Sequence, residues 1–154
     1  MIIQVGSQTA PAVMSSAAKP TIYVVDDDVG VLSSLRFLLE THGFSVRTFR
    51  SGGAALSAPH SGEVDCYVID YKMPDINGID LVRQLRRRGI DAPVVLITGY
   101  PDKNIAARAE AAGVKHVMRK PLLDDSLLKG IRGAIEEHRS TAPGNLIGAR
   151  DRGA

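Results

Sequence analysis

The sequence predicts an α/β fold in which a doubly wound sheet of five parallel strands carries five helices on its two faces. Between residues 20 and 139, short apolar runs alternate with longer segments of helical periodicity. Parallel pairing follows from this alternation, because each parallel strand needs a crossover connection and such crossovers are right-handed. With 154 residues, 44% of them apolar, the chain is long enough for one domain of this kind.

The first two strand–helix units begin at residue 22. Residues 22–25 are a short apolar run typical of a buried strand, and residues 29–42 are predicted to form a helix that Gly43 ends. The apolar stripe of this helix is predicted to comprise Val29, Leu32, Leu35, Phe37, Leu38 and Leu39. Residues 44–49 are the second predicted strand, and Ser51 can cap a short helix after it.

Three further units complete the alternation. Their strands and helices are predicted at residues 66–69 and 77–88, 94–97 and 103–112, and 116–118 and 124–138. Asn77 can cap the third helix, and Gly89 can end it. The last helix is amphipathic, with leucine and isoleucine side chains on one face.

Both ends of the chain lack such periodicity. Residues 1–19 and 140–154 are therefore predicted to be flexible extensions of a domain that spans residues 20–139. Met14 lies within the first extension, so translation could start at either of the first two methionines.

Composition narrows the classes of partner. The net charge is only +2 and aromatic residues make up 5%, so nucleic acid is not an expected partner of this chain. No leader-like segment and no apolar run of roughly 20 residues occurs, which favours a cytoplasmic protein without a membrane segment. Cys66 is the single cysteine and is expected to be a small buried side chain.

Polar residues follow four of the predicted strands. Asp26 and Asp27 follow the first strand, Asp70 the third, Thr98 the fourth and Lys120 the fifth. In an open parallel sheet, ligands bind outside the carboxyl ends of the strands. We therefore expect these five side chains to converge at one edge.

The residue types at this edge indicate phosphoryl chemistry. Three crowded carboxylates need either raised pKa values or a cation, and Mg²⁺ suits oxygen ligands that share the ion with water and phosphate. A lysine and a threonine hydroxyl can bind the oxygens of a phosphoryl group while a carboxylate attacks phosphorus in line. Taken singly, each residue has a plainer interpretation as a turn, cap or surface residue, and Asp28 is expected to be only a helix cap.

Four motifs in this order resemble the receiver domains of response regulators, over about residues 20–139. The motifs are Val24-Val25-Asp26-Asp27, Asp70-x-x-Met73-Pro74-x-x-x-Gly78, Thr98-Gly99 and Lys120-Pro121. The local sequence at these motifs is most similar to that of receivers of the nitrogen-fixation regulator group. The resemblance implies a flavodoxin-like sheet with strand order 2-1-3-4-5.

The same resemblance implies a role for each matching residue. Asp70 would be the phosphoacceptor, and Thr98 and Lys120 would contact the phosphoryl group. The Mg²⁺ ligands implied are Asp27, Asp70, the backbone carbonyl of Lys72 and, through water, Asp26. The chain would then be a signalling domain that catalyses its own phosphotransfer and dephosphorylation, rather than an enzyme.

Two positions depart from the family pattern. Val117 stands three residues before the signature lysine, where receivers usually carry a tyrosine or phenylalanine that switches position, and Leu122 stands where phenylalanine is common. The first departure puts the usual signalling readout in doubt but leaves the phosphorylation chemistry untouched. The Lys120–Pro121 bond could be cis or trans.

The partners implied are a sensor histidine kinase or histidine phosphotransfer protein and a downstream protein that binds the face of helix 4, strand 5 and helix 5. The sequence leaves open whether the chain forms a homodimer. About fifteen residues follow the last helix, too few for a helix-turn-helix domain, although a longer gene product could carry one. The alternatives are therefore the receiver half of a longer DNA-binding regulator, an adaptor that is never phosphorylated, and a haloacid-dehalogenase-type phosphatase. The Asp-x-Asp-x-Thr/Val motif of such phosphatases is missing after the first predicted strand of this sequence.

Overall fold

The structure is a computed structural model that describes residues 19–59, 64–99 and 103–141. Nearly all of the two predicted extensions, and with them Met14, lies outside the described residues.

Five parallel strands form a single sheet. Their bounds are β1 Thr21–Val25, β2 Ser45–Phe49, β3 Cys66–Asp70, β4 Val94–Thr98 and β5 His116–Arg119. The strands lie side by side in the order β2-β1-β3-β4-β5, and every neighbouring pair is parallel. The predicted fold class and strand order are confirmed.

One helix follows each strand. The helices are α1 Val29–Thr41, α2 Gly52–Ser57, α3 Gly78–Arg87, α4 Lys103–Ala111 and α5 Asp124–Ser140. None of the helices in the described ranges has the length and apolar character that crossing a bilayer requires.

Apolar layers cover both faces of the sheet. On one face α1 and α5 pack against alternate strand residues such as Ile22 and Val24, and on the other α2, α3 and α4 pack against Tyr23 and Val25. Since successive side chains of a strand point to opposite faces, one apolar run supplies both layers. All residues of β3 and β4, two of the three interior strands, are buried.

The structure confirms the caps predicted for α1, α2 and α3 and the glycines predicted to end α1 and α3. Asp28 Oδ1 accepts hydrogen bonds from the first turn of α1, and the side chains of Ser51 and Asn77 cap α2 and α3. Gly43 and Gly89 follow α1 and α3 with φ angles of 93° and 81°. Only glycine adopts this left-handed conformation at little cost, so both residues end their helices as expected.

The stripe predicted for α1 is wrong at two positions. Val29 and Phe37 are 50% and 75% exposed, whereas Leu32, Leu35 and Leu39 are buried. At 100° per residue, the three leucines fall on one side of the helix, and Phe37 is turned well away from it. The predicted stripe was therefore too wide.

Two local expectations were also resolved. Cys66 is fully buried between the sheet and the α1–α5 layer, as predicted. The Lys120–Pro121 peptide bond is cis, one of the two isomers left open by the sequence.

Candidate functional site

The carboxyl ends of the parallel strands bring the five predicted side chains together. Backbone hydrogen bonds continue just past the strand ends, from Asp26 N–H to Phe49 O at 3.1 Å and from Lys120 N–H to Thr98 O at 2.9 Å. These bonds hold the loops close to the sheet edge. The five predicted residues, together with Lys72, line one open cleft of about 400 Å³.

Oppositely charged groups meet inside this cleft. Lys120 Nζ lies 3.0 Å from Asp70 Oδ1. Asp26, Asp27 and Asp70 each place a carboxylate oxygen within 4.8 Å of the others. The cleft therefore combines an ammonium group with three carboxylates, the combination expected from the sequence.

Burial sets this cleft apart from the rest of the surface. Among the described residues, the only polar or charged ones that are buried are Asp26, Asp70 and Thr98, which are 3%, 6% and 4% exposed. Buried polar groups cost free energy unless something satisfies them. All three lie at one edge of the sheet, which indicates that their position serves a function rather than the stability of the core.

The burial shifts the acidity of the carboxyl groups. Burial raises the pKa of Asp26 to about 6, opposed by the N–H of Asp28, which donates to Asp26 Oδ1 at 2.9 Å. Burial also raises the pKa of Asp70, although the hydrogen bond and charge of Lys120 lower it. Partial burial lowers the pKa of Lys120, but its contact with Asp70 outweighs this effect and leaves the pKa raised. A divalent cation bound in the cleft would favour the ionised forms of Asp26 and Asp70, because its charge offsets the cost of burying theirs.

The donor set fits Mg²⁺. The three carboxylates offer only oxygen ligands, and the open cleft, which Lys72 also lines, leaves room for water. Asp26 already uses Oδ1 for a backbone hydrogen bond, whereas Asp27 is exposed at the mouth of the cleft. The two neighbouring aspartates are thus placed differently toward an ion.

The loop after β3 is held tightly against the site. At Gly78, a Cβ atom would lie 2.7 Å from the backbone oxygen of Asp70 and 2.8 Å from Leu96 Cδ1, so only glycine fits there. Asp75 Oδ2 accepts a hydrogen bond from Gly53 N–H at 2.9 Å, which lowers the pKa of Asp75 and ties the loop to the start of α2. The loop beside Asp70 is therefore anchored on both sides.

Two further residues line the cleft that the sequence did not single out. Tyr71 directly follows Asp70, and Ile105 lies in the first turns of α4. Proximity to Asp70 in the chain could have indicated Tyr71. Ile105 gives no such signal, because an isoleucine on an amphipathic helix is expected to serve the core, where it is indeed buried.

The two residues that depart from the family pattern are both half-buried. Val117 pairs with Leu96 across β4 and β5 and packs against the core of the α2–α4 face. Leu122 packs against the opposite core, beneath α1 and α5. Neither of them lines the cleft.

Residues 22–132 match the family described as the response regulator receiver domain. The response regulator protein TodT of Pseudomonas putida is 35% identical over 139 residues, which cover 88% of this chain and 61% of TodT. The transcriptional regulatory protein FixJ of Bradyrhizobium diazoefficiens is 33% identical over 129 residues, covering 84% of this chain and 63% of FixJ. The chain thus spans about three-fifths of the length of these relatives.

Solved structures show the same fold. The crystal structure of FixJ-N aligns with a TM-score of 0.69 at 34% identity and covers 77% of this chain and 94% of its own. A CheY-like receiver domain protein from Methanospirillum hungatei aligns with a TM-score of 0.76 at 24% identity, covering 81% of this chain and all of its own. The second likeness concerns the fold alone.

Proposed function

Because this chain belongs to the response-regulator receiver domain family, we propose that it accepts a phosphoryl group on Asp70 and relays that state to another protein. The observation that carries the proposal is the contact of 3.0 Å between Asp70 and Lys120 inside a cleft of three carboxylates. Receiver domains are signalling modules of two-component systems, and this chain retains the polar residues of their four motifs.

The residues of the cleft have different roles in phosphotransfer. A carboxylate oxygen of Asp70 forms the new bond to phosphorus while the bond from phosphorus to the donor breaks, and the leaving group keeps the electron pair. Lys120 and Thr98 bind the phosphoryl oxygens opposite the carboxylates. Mg²⁺, when bound, neutralises charge on the phosphoryl oxygens and on the crowded carboxylates.

The metal would be held by Asp27, Asp70 and the carbonyl of Lys72, with Asp26 acting through water. The hydrogen bond from Asp28 N–H to Asp26 Oδ1 supports this division, since it occupies one of the two Asp26 oxygens. All of these ligands are oxygens, as Mg²⁺ prefers.

The donor would be a sensor histidine kinase or a histidine phosphotransfer protein, and the downstream partner a protein that binds the face formed by α4, β5 and α5. This face adjoins Thr98 and Lys120, so a change at either residue reaches it first. We place the reaction in the cytoplasm. The alternative is the receiver half of a longer DNA-binding regulator, which the name of FixJ and the partial coverage of that relative support.

Acetyl phosphate and Mg²⁺ are expected to add one phosphoryl group to the purified protein, as measured by intact-mass spectrometry. The reason is that the cleft supplies a nucleophile, oxygen ligands for the metal and two phosphate-binding side chains. Chelating the metal should prevent the gain in mass. An unchanged mass with excess acetyl phosphate and Mg²⁺ would overturn the proposal, whereas sustained turnover of p-nitrophenyl phosphate would favour the phosphatase alternative.

Asp27→Asn is expected to weaken Mg²⁺ binding more than Asp26→Asn, because only Asp27 is assigned a direct contact. Changes to groups that act on a metal only through one of its ligands, such as a bound water, lower metal affinity by roughly 10–100-fold. The loss of Mg²⁺ affinity in Asp26→Asn should fall in that range, and the loss in Asp27→Asn should exceed it. Calorimetric titration with MgCl₂ measures both constants. If both variants bind as tightly as the parent, these aspartates do not hold the metal.

A further inference from the structure

An aromatic residue contacts the phosphorylation site, although it does not stand at the position where receiver domains usually carry one. Val117 offers no ring that could report the state of Asp70, and it lies outside the cleft. Tyr71, in contrast, is bonded directly to Asp70 in the chain and lines the cleft. Its ring packs against the core of the α2–α4 face.

The backbone of Tyr71 is held on both sides. Its N–H donates to Ile97 O of β4 at 2.8 Å, and its carbonyl accepts from Gly78 N–H of α3 at 2.7 Å. Freedom at this residue is therefore confined to small shifts shared with Asp70 and to rotation of the side chain. If metal and phosphoryl binding displace Asp70, the backbone of Tyr71 and the side chain attached to it are displaced as well.

The far end of the ring is bound to α4. Arg108 Nη1 donates to the phenolic oxygen of Tyr71 at 3.1 Å, and the guanidinium carbon lies 6.0 Å from the ring centroid. Both distances lie within the range in which a hydrogen bond and a cation–π contact are effective. No carboxylate of the described residues lies within ion-pair distance of Arg108, so no carboxylate there competes with Tyr71 for its charge.

Helix α4 is loosely held by other contacts. Only Ile105 and Ala109 of this helix are buried, whereas α3 buries five residues over a similar length. Ile105 itself faces the cleft. A helix with so small a buried face is readily displaced, and the contact between Arg108 and Tyr71 adds to the core contacts of Ile105 and Ala109 that hold it.

We propose that Tyr71 and Arg108 are positioning residues that transmit the phosphorylation state of Asp70 to α4, in place of the ring that Val117 lacks. The inference rests on the proposed function, since it requires a phosphoryl group at Asp70. The hydroxyl of Tyr71 is the directional link, because it accepts a hydrogen bond that joins a residue bonded to the acceptor with a charged side chain of α4.

The test compares amide NMR spectra with and without Mg²⁺ and beryllofluoride, a mimic of the phosphoryl group. Tyr71→Phe removes only the hydroxyl, and Arg108→Gln removes the charge. In each variant the shift changes over residues 103–111 should fall to about half of the parent's or less, and the double variant should lose no more, as expected for two members of one contact. The shift changes of residues 26–28 and 70–72 should persist.

Arg47→Gln is the matched control. Arg47 also lies over aromatic rings, 5.5 Å from Tyr23 and 5.1 Å from Phe49, but on the edge strand β2. This variant should show the full α4 response, and Arg108→Gln should still gain one phosphoryl group from acetyl phosphate. An α4 response that is undiminished in both Tyr71→Phe and Arg108→Gln would overturn the inference while leaving the proposed function standing. A parent that shows no shifts at residues 26–28 and 70–72 would overturn both.

Discussion

Replacing Asp70 with asparagine is expected to abolish phosphoryl uptake from acetyl phosphate. The amide keeps the shape of the side chain but lacks the negatively charged oxygen that must attack phosphorus. It also removes the ion pair with Lys120, at 3.0 Å, that orients the carboxylate. Intact-mass spectra of Asp70→Asn should show no mass gain after an incubation that converts the parent fully.

Asp91→Asn is a suitable control, because Asp91 is an exposed aspartate that does not line the cleft. It should gain one phosphoryl group at the parent's rate. A mass gain that persists in Asp70→Asn would show that another group is the acceptor. Asp27 and Asp26 would then be the first candidates, since their carboxylates lie beside that of Asp70.

Local chemistry explains why most of the fold could be predicted from the sequence. Asp28 and Asn77 begin their helices with side-chain caps, and Gly43 and Gly89 end theirs with positive φ angles, so these boundaries depend on nearby residues alone. The position of the site follows from parallel topology, because strand ends meet at one edge wherever the helices lie.

Features that depend on how helices dock could not be predicted in this way. Counting apolar residues gave α1 too wide a stripe and placed Phe37 in the core, although it is 75% exposed. The contact between Arg108 and Tyr71 joins residues 37 positions apart and exists only because α4 lies over the loop after β3. The burial of Asp26 is likewise a result of packing, since neighbouring Asp27 has the same side chain and is exposed.

The buried carboxylates should make the metal-free protein less stable as the pH rises. The pKa of Asp26 is raised to about 6 in the folded state, mainly by burial, from an ordinary value of about 4. Between these values the folded state binds more protons than the unfolded state, so the free energy of unfolding falls as the pH rises through this window. Asp70 acts in the same direction, because its pKa is also raised. Asp75, whose pKa is lowered, gives stability that is lost only below this window.

Asp26→Asn is therefore expected to stabilise the metal-free protein at pH 7.5, by about 1–3 kcal/mol in the free energy of unfolding. The amide carries no charge, yet its oxygen can still accept the hydrogen bond from Asp28 N–H, which is 2.9 Å long in the parent. The gain should shrink as the pH falls through this window and approach zero below about pH 4, where Asp26 of the parent is protonated in both the folded and the unfolded state.

Urea unfolding followed by circular dichroism, in EDTA and at several pH values, measures this difference. Mg²⁺ should narrow it at pH 7.5, because an ion that binds the folded parent more tightly than the variant stabilises the parent more. The exposed Asp91→Asn should unfold like the parent at each pH. Equal stabilities of parent and Asp26→Asn at pH 7.5, or a gap that widens as the pH falls, would contradict the view that this aspartate is held in the cleft at a cost to the fold. The expected pattern would mean that burial of these carboxylates destabilises the metal-free protein and, at the same time, favours the binding of a cation.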